Sequence, residues 1–266
     1  MQIVKHLITY SGGIGSWCAA KRVVEQHGRE GVVLLFADVL IEDADLYRFL
    51  HEGAKALGLE VTRISCEKTP WQVFREVRFL GNSRVDPCSR ILKRELLDKW
   101  RKENCDPAIV TVHVGIDWTE SHRLDRLRKN LPDWKIEAPM CSAPFMTKQQ
   151  MLAELDQFGI APPALYLEGF PHNNCGGGCV KAGHAHFRLL LKMRPHVYAQ
   201  WEAEEKAMQE FLERTDATIL NSRKGGKRVP LSLKEFREQI EVEHKQGLLP
   251  LIDAEEWGGC GCALGV

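Results

Sequence analysis

The chain has no excess of charge of either sign. Its 266 residues include 36 Lys and Arg against 36 Asp and Glu, so the formal net charge at pH 7 is zero. A strongly basic chain would indicate a nucleic-acid partner, and this composition does not. A net charge of zero is still compatible with a local patch of basic residues. Residues 223–228 read Arg-Lys-Gly-Gly-Lys-Arg and form either such a patch or a solvated turn.

Long hydrophobic runs are also missing. No apolar stretch approaches the ~20 residues that a membrane-spanning helix needs, and no signal-peptide core precedes the first apolar run. The sequence shows no internal repeat and no low-complexity segment. Hydrophobic content of 44% and charged content of 27% are ordinary for a globular protein. We therefore expect a soluble, cytoplasmic protein with no membrane partner.

Cysteine, by contrast, is abundant. Nine cysteines lie at positions 18, 66, 88, 105, 141, 175, 179, 260 and 262. In a reducing compartment this number favours metal or thiol chemistry over disulfides. The cysteines at 18 and 66 are expected in the core, and those at 105 and 141 have no nearby partner in sequence. The candidate ligating or reactive residues are therefore Cys88, Cys175, Cys179, Cys260 and Cys262.

A glycine-rich segment follows the first apolar run. Residues 11–16 read Ser-Gly-Gly-Ile-Gly-Ser and stand between the apolar run 3–10 and a helix-like stretch over 17–27. A strand, a glycine turn and a helix N-terminus form a phosphate cradle, because glycine permits close approach and the first helical N–H groups attract anions. The spacing differs from the dinucleotide fingerprint and from the Walker loop. The candidate phosphate-binding residues are Ser11, Gly12, Gly13, Gly15 and Ser16; a turn that merely joins strand to helix is the alternative.

Strand-like runs alternate with helix-like runs in the N-terminal half. Residues 31–38 form a continuous apolar run that ends in Asp38, residues 59–65 form a third run, and residues 109–114 form a fourth that leads into Gly115. This alternation predicts an α/β fold with a doubly wound parallel sheet, whose ligands collect at the carboxyl ends of the strands. The glycine loop, Asp38 and Gly115 are then expected at one edge of the sheet.

The C-terminal part is more helical and charged. Helices are predicted over residues 194–214 and 232–245, the second opened by a Ser-Leu-Lys-Glu capping box. We therefore divide the chain into an α/β nucleotide-binding domain with clustered cysteines over residues 1–188 and a helical C-terminal extension over residues 189–266. The extension ends in a glycine-rich Cys-Gly-Cys tail, whose thiols either swing into a site or have no role.

Four segments of the chain together resemble one family. Residues 11–16 are similar to the Ser-Gly-Gly-x-Asp-Ser signature of the PP-loop adenine nucleotide α-hydrolase-like superfamily. Residues 87–96 resemble the Cys-x-x-x-Leu-Lys-x-x-Pro-Leu segment of phosphoadenylylsulfate (PAPS) and adenylylsulfate reductases, and residues 115–123 resemble their Gly-Ile-x-x-x-Glu-Ser-x-Arg element. Residues 165–179 resemble the Leu-Tyr-x-x-Gly-Phe-x-x-x-x-Cys-x-x-Cys region of those reductases and of DNA phosphorothioation sulfurtransferases. The chain thus looks like a member of the PAPS reductase-like family.

The resemblance implies an enzyme that binds ATP or another adenine nucleotide, with or without Mg²⁺, and performs sulfur transfer or reduces an adenylylated sulfate. Asp38 would contact the nucleotide or its metal, and Gly115 would border it. Lys93 and Arg123 would neutralise phosphate or sulfate oxygens. A thiol of the tail, Cys260 or Cys262, would enter the site in the reductive reaction. The implied partners are a sulfur-donor or thiol-reductant protein and a nucleic-acid acceptor.

The resemblance also implies a metal site with three soft thiolate ligands. The three thiolates are those of Cys88, Cys175 and Cys179, which would converge in the resembled fold. A [4Fe–4S] cluster is the favoured occupant, and a tail thiolate would close its fourth position. Zinc with His172 or His184 as fourth ligand fits the same spacing. Free thiols without metal are the third alternative.

The sequence departs from the family pattern at three places. Gly15 stands where the signature has Asp, which removes a carboxylate that would hold Mg²⁺ or position phosphates. The cysteine pair is C-x₃-C rather than C-x₂-C, and Cys88 stands alone where iron–sulfur adenylylsulfate reductases have adjacent cysteines. The Glu-Cys-Gly-Leu-His end of PAPS reductases is absent. A second interpretation therefore stays open: a non-catalytic nucleotide-binding or nucleic-acid-associated module with a structural metal.

Overall fold

The computed structural model describes residues 3–247, and a parallel sheet lies at its centre. Its strands are β1 His6–Thr9, β2 Val32–Asp38, β3 Val61–Ser65, β4 Thr111–Val114 and β5 Lys135–Glu137. They are ordered β3-β2-β1-β4-β5, and every neighbouring pair is parallel. The predicted α/β class with a parallel sheet is confirmed. The short β5 was not predicted, because three residues are too few to show a period.

Helices connect the strands and extend the chain beyond them. They are α1 Ile14–His27, α2 Ala44–Ala56, α3 Pro70–Glu76, α4 Pro87–Ser89, α5 Leu96–Asn104, α6 His122–Asn130, α7 Lys148–Ala153, α8 Ala164–Leu167, α9 His184–Met193, α10 Pro195–Leu212 and α11 Leu233–Lys245. A π-helical turn, Arg90–Glu95, joins α4 to α5. Short 3₁₀ turns lie at Trp118–Glu120, Pro139–Cys141, Glu154–Phe158 and Cys175–Gly177. Among the described helices, none combines the length and the apolar character that crossing a membrane requires.

Alternating side chains of the strands build two apolar layers. Ile8 and Leu34 pack in one cluster with residues of α1 and α2. Their sequence neighbours Leu7 and Leu35 pack in another cluster with residues of α5 and α6. Successive side chains of a strand point to opposite faces, so this period of two covers both faces of the sheet with helices. The strand order reverses between β1 and β4, and ligands bind at this switch point in doubly wound folds.

The part of the chain after α10 is not purely helical. Between α10 and α11 it forms an antiparallel hairpin of β6 Leu220–Lys224 and β7 Lys227–Leu231, where the sequence indicated only a basic turn. Leu165, Phe187, Tyr198 and Leu233 share one buried apolar cluster. Helix α9 runs across residue 188, so the chain passes the expected domain boundary as continuous helix within one core.

Three histidines meet on the face of the sheet that α1 covers. His6 Nδ1 lies 3.0 Å from His113 Nε2, and the His6 and His27 rings stack with centroids 4.2 Å apart. Burial lowers the pKa of His113 to about 4, although the nearby Glu137 opposes this shift. Burial also lowers the pKa of His186, on α9, to about 4. Both imidazoles are therefore neutral at pH 7.

The buried neutral histidines predict a loss of stability in mild acid. In the unfolded chain histidine has a pKa near 6.5. As the pH is lowered from about 6.5 to about 4, the unfolded state binds protons before the folded state does, and the free energy of unfolding decreases. Above about pH 6.5 these two histidines contribute no pH dependence. The shift of His113 corresponds to about 3 kcal/mol across the window. Urea unfolding at about pH 7.5 and about pH 4.5 measures it. His113→Gln should lose less stability between these two pH values than the parent; an equal loss would contradict the assignment.

Candidate functional site

The glycine loop is an ordered turn that leads directly into α1. Gly13 is the N-cap residue of the helix and has extended backbone geometry. The Ser16 hydroxyl donates to the Gly13 carbonyl at 2.7 Å and accepts from the Ser11 amide at 3.2 Å. The loop therefore closes on itself through its two serines. The N-terminus of a 14-residue helix, which attracts anions, lies at the centre of the site.

Tyr166 of α8 and Asn173, which follows this helix, contact the loop from one side. The Ile14 amide donates to the Tyr166 hydroxyl at 3.2 Å, and the Asn173 side chain donates to the Gly12 carbonyl at 2.8 Å. Burial raises the pKa of Tyr166 to about 12, so the phenol remains protonated. These contacts join the Leu-Tyr-x-x-Gly-Phe segment to the glycine loop. The sequence did not assign Tyr166 or Asn173 a role, although Tyr166 belongs to a segment that carried the family resemblance.

The loop also touches the end of β4 through backbone atoms. A Cβ at Gly15 would lie 2.7 Å from the Gly115 carbonyl oxygen, and a Cβ at Gly115 would lie 2.5 Å from the Ser16 amide nitrogen. Real side chains do not approach backbone this closely. The packing therefore requires glycine at both positions, and it leaves no room for the Asp that the family signature places at 15.

A cavity of about 480 Å³ opens above the loop at the switch point. Seven residues that the sequence singled out line it: Ser11, Gly13, Gly15, Ser16, Lys93, Gly115 and Arg123. The structure thus brings together residues from three separate segments of the chain, 11–16, 87–96 and 115–123. Lys148, His172 and Asn174 complete part of the wall. Lys148 was missed because it lies between the segments that resemble the family.

The cavity carries charges of both signs. Arg123 pairs with Glu120 at 2.5 Å, and Asp117 accepts from the Thr119 amide at 2.8 Å. The Lys148 ammonium donates to a backbone carbonyl, and partial desolvation lowers its pKa. An anionic ligand would therefore compete with Glu120 for the Arg123 guanidinium. It would not have to displace a carboxylate from Lys148, because Lys148 forms no ion pair within the described structure.

Asp38 ends β2 as the sequence indicated, but it does not line this cavity. Its carboxylate is 2% exposed and accepts from the Leu40 amide at 2.9 Å, the Tyr47 hydroxyl at 2.7 Å and Arg63 Nε at 2.7 Å. Burial alone would raise the pKa of Asp38, yet these hydrogen bonds hold it below the usual value. Both oxygens are thus engaged by the protein, and this placement lends no support to a contact between Asp38 and a nucleotide or its metal.

The three candidate ligating cysteines line a second, much smaller cavity of about 20 Å³. They are Cys88, Cys175 and Cys179, from segments that are far apart in sequence. Trp201 and Phe74 contribute apolar walls. We call this the thiol cavity. Its size, about that of one water molecule, leaves the thiols in a nearly dry environment.

Lys93 lines both cavities, and Glu42 fixes its position. The Glu42 side chain is 1% exposed, and its Oε1 lies 3.5 Å from Lys93 Nζ. Its Oε2 accepts a hydrogen bond from the Cys175 amide. Burial raises the pKa of Glu42, while Lys93 and the Cys175 amide oppose this shift. Through Lys93 and the Cys175 amide, Glu42 connects the wall of the cavity over the glycine loop to the thiol cavity, and nothing in its local sequence predicted this.

The other described cysteines lie elsewhere and are protected. Burial raises the pKa of Cys18 to about 12 and also raises the pKa values of Cys66, Cys105 and Cys141. These groups remain thiols near neutral pH and are poor nucleophiles. The thiols of the tail, Cys260 and Cys262, lie outside the described residues.

The histidines considered as zinc ligands do not line the thiol cavity. His172 borders the cavity over the glycine loop, and His184 Nε2 lies 2.9 Å from the Asn221 carbonyl oxygen. Within residues 3–247, no group of three or more His, Cys, Asp or Glu side chains is arranged to hold a metal ion.

Comparison of the chain with protein-family models and with curated proteins returned no match. In the structure, a cavity at the N-terminus of α1 lies beside a second cavity lined by three thiols, and Lys93 borders both.

The close approach at Gly15 makes a stability prediction. Gly15→Ala should lower the free energy of unfolding by about 1–3 kcal/mol, because the new methyl group would collide with the Gly115 backbone. Urea denaturation provides the measurement. Gly13→Ala is the matched control, since a Cβ there would lie 3.3 Å from the Tyr166 hydroxyl and 3.7 Å from Ser11 Oγ, and the backbone φ is −89°. Equal stabilities of the two variants would rule out the backbone contact.

Proposed function

We propose that the protein is an adenine-nucleotide-binding enzyme of the PAPS reductase-like type, which transfers sulfur or reduces an adenylylated sulfate. One observation carries the proposal: the buried Lys93 borders both the cavity over the glycine loop and the thiol cavity. A reaction between a nucleotide-activated group and sulfur needs a phosphate site and thiols in close proximity. Because the Lys93 side chain borders both cavities, it supports an arrangement in which the two groups react next to each other.

The nucleotide cavity supplies the groups that bind phosphate. The N-terminus of α1 and the hydroxyls of Ser11 and Ser16 would donate to phosphate oxygens, while Lys93 and Arg123 would neutralise their charge. Because Gly15 has no side chain, Mg²⁺ would be held by the phosphates together with Asp117 or Glu120. When the phosphate binds Arg123, Glu120 becomes available for that role.

The donor set of the thiol cavity fits a soft metal. Cys88, Cys175 and Cys179 border one cavity, and thiolates select iron–sulfur clusters or zinc. A [4Fe–4S] cluster would supply electrons or an open iron for sulfide. The protein's own residues would hold it, keep water away through Trp201, and place the Lys93 ammonium beside its negative charge. Zinc remains the alternative metal.

Two reactions fit these groups. In the transfer reaction, which we favour slightly, ATP adenylates an acceptor with loss of pyrophosphate, and a sulfur nucleophile from a donor protein then displaces AMP. In the reductive reaction, a tail thiolate attacks the sulfur of an adenylylated sulfate and the adenosine phosphate leaves. A second thiol then releases sulfite as a disulfide forms, and a thiol-reductant protein restores both thiols. Cys260 and Cys262 are the candidates for this thiol pair.

The glycine loop provides the first test of nucleotide binding. Gly13→Val should lower ATP affinity by at least about tenfold, because the branched side chain would occupy the path of the phosphates. Isothermal titration calorimetry measures the affinity, and the melting temperature reports whether the fold persists. Gly13→Ala, a smaller change at the same position, should retain more affinity. Unchanged ATP affinity in Gly13→Val would refute the phosphate site.

The cysteines provide the second test. Cys88→Ala, Cys175→Ala and Cys179→Ala, each purified without oxygen, should lose most of the bound iron and the absorbance near ~400 nm. The control Cys18→Ala should keep both. Iron and sulfide assays with an optical spectrum make the measurement, and zinc analysis of the same samples separates the two metals. Full metal retention in all three variants would overturn the assignment.

The same assay decides the role of the tail. If the cluster has a fourth thiolate, Cys260→Ala or Cys262→Ala should lose iron as the other ligand variants do. If these cysteines are mobile redox thiols, both variants should keep iron and lose turnover.

Gly15 favours a second candidate function, a non-catalytic nucleotide-binding module with a structural metal. Loss of the loop carboxylate removes a group that would help hydrolyse or activate ATP. The two candidates differ in products. An enzyme should release AMP and pyrophosphate in the transfer reaction, or sulfite in the reductive one, from anaerobically purified protein. Nucleotide binding with no product under either set of substrates would favour the module.

A further inference from the structure

The tip of the β6–β7 hairpin stands in open space. Gly225 and Gly226 have φ values of 56° and 77°, and positive φ at both central residues is what a tight type I′ turn requires. A Cβ built on either glycine would meet no described atom within 4 Å. The basic side chains of the tip whose surroundings are described, Arg223, Lys227 and Arg228, are exposed. The hairpin therefore presents an exposed, positively charged tip.

The tip pairs like charges across the hairpin. Arg223 lies opposite Arg228, and Lys224 lies opposite Lys227. Like charges directly opposite each other destabilise a strand pair. Within the described residues, no carboxylate forms an ion pair with Arg223, Lys227 or Arg228, and Arg228 instead donates to the Ser83 hydroxyl at 3.1 Å. Within the described residues, no carboxylate offsets the repulsion between these basic side chains.

The base of the hairpin is rigid. Leu220 and Leu231 are buried, and the carboxylate of the buried Glu205 accepts from the Ile219 amide at 2.8 Å and the Leu233 amide at 2.6 Å. One side chain thus ties together the entry and the exit of the hairpin. The cations at the tip are held in a fixed relation to the body, which reduces the entropic cost of binding a partner.

We propose that this tip binds the phosphate backbone of double-stranded DNA. Its cations have no internal counter-charge in the described structure, whereas phosphate backbones present a dense row of negative charges. The major groove of B-DNA, about 12 Å wide, admits a two-stranded β-ribbon, while the major groove of duplex RNA is too deep and narrow. The glycine turn has no side chains and can enter the groove. Arg84, which is exposed and next to Ser83, adds a further cation close to Arg228.

The tip of the hairpin lies on the same side of the molecule as the thiol cavity. Leu220 and Leu231, at the base of the hairpin, share one apolar cluster with Cys179 and Val180. The loop that contacts Arg228 leads within a few residues to Cys88. DNA held at the tip would therefore lie on the side of the molecule that contains the thiol cavity. This inference does not require nucleotide binding, so the two proposals can fail separately.

Fluorescence anisotropy with a labelled, mixed-sequence DNA duplex of about two helical turns tests the proposal. The full chain is titrated at about 50 mM and about 200 mM salt. The triple variant Arg223→Gln/Lys227→Gln/Arg228→Gln should bind at least about tenfold more weakly at low salt. Its slope of log affinity against log salt should fall by about 0.9 for each phosphate that the variant no longer neutralises. Its melting temperature should equal or exceed that of the parent, because like-charge repulsion is removed.

A matched control removes the same charge elsewhere. Lys55→Gln/Lys129→Gln/Lys192→Gln changes three exposed lysines outside the hairpin and should retain most of the affinity and the salt slope. Equal weakening in both triple variants, or no duplex binding by the parent at low salt, would overturn the proposal. Single-stranded DNA, duplex RNA and poly-glutamate serve as competitors. If any of these displaces the duplex at lower concentration than unlabelled duplex does, the partner is not double-stranded DNA.

Discussion

The backbone contact between the glycine loop and the end of β4 determines the geometry of the site. Gly15 and Gly115 approach so closely that neither position has space for a Cβ. This contact holds the N-terminus of α1 against the switch point between the paired strands β1 and β4. The cavity over the glycine loop opens directly above it. A side chain at position 15 and this contact exclude each other, so the loop cannot carry a carboxylate there in this packing.

A buried ion pair joins the two cavities into one unit. Removing Lys93 and Glu42 from water is costly, and such a pair persists only when further hydrogen bonds satisfy it. Here the Cys175 amide provides one of them. A π-helical turn carries Lys93, and such turns are frequent at functional sites. An anion bound at the Lys93 ammonium would therefore change the electrostatic environment of the Glu42 carboxylate, which accepts a hydrogen bond from the Cys175 amide.

Short motifs predicted the parts of the site that depend on local sequence, and tertiary contacts determined the others. The glycine loop, Lys93 and Arg123 were found because each belongs to a recognisable segment, and the parallel sheet followed from the alternation of runs. Glu42 was missed because its role arises from contacts with residues far away in the chain. Asp38 stays a prediction: a carboxylate at a strand end suggests function, and in this structure Tyr47 and Arg63 donate hydrogen bonds to its oxygens. The hairpin was missed because charged residues, not alternating apolar ones, flank its glycines.

The C-x₃-C spacing has a structural reason. Cys175, Gly176 and Gly177 all have positive φ, and a Cβ at Gly178 would lie 2.1 Å from the Trp201 ring. The extra glycine thus allows the chain to turn back sharply while the indole packs against its backbone. This packing closes the thiol cavity with an aromatic wall from α10. The glycine-rich segment between the two cysteines therefore forms the surface that Trp201 of α10 covers.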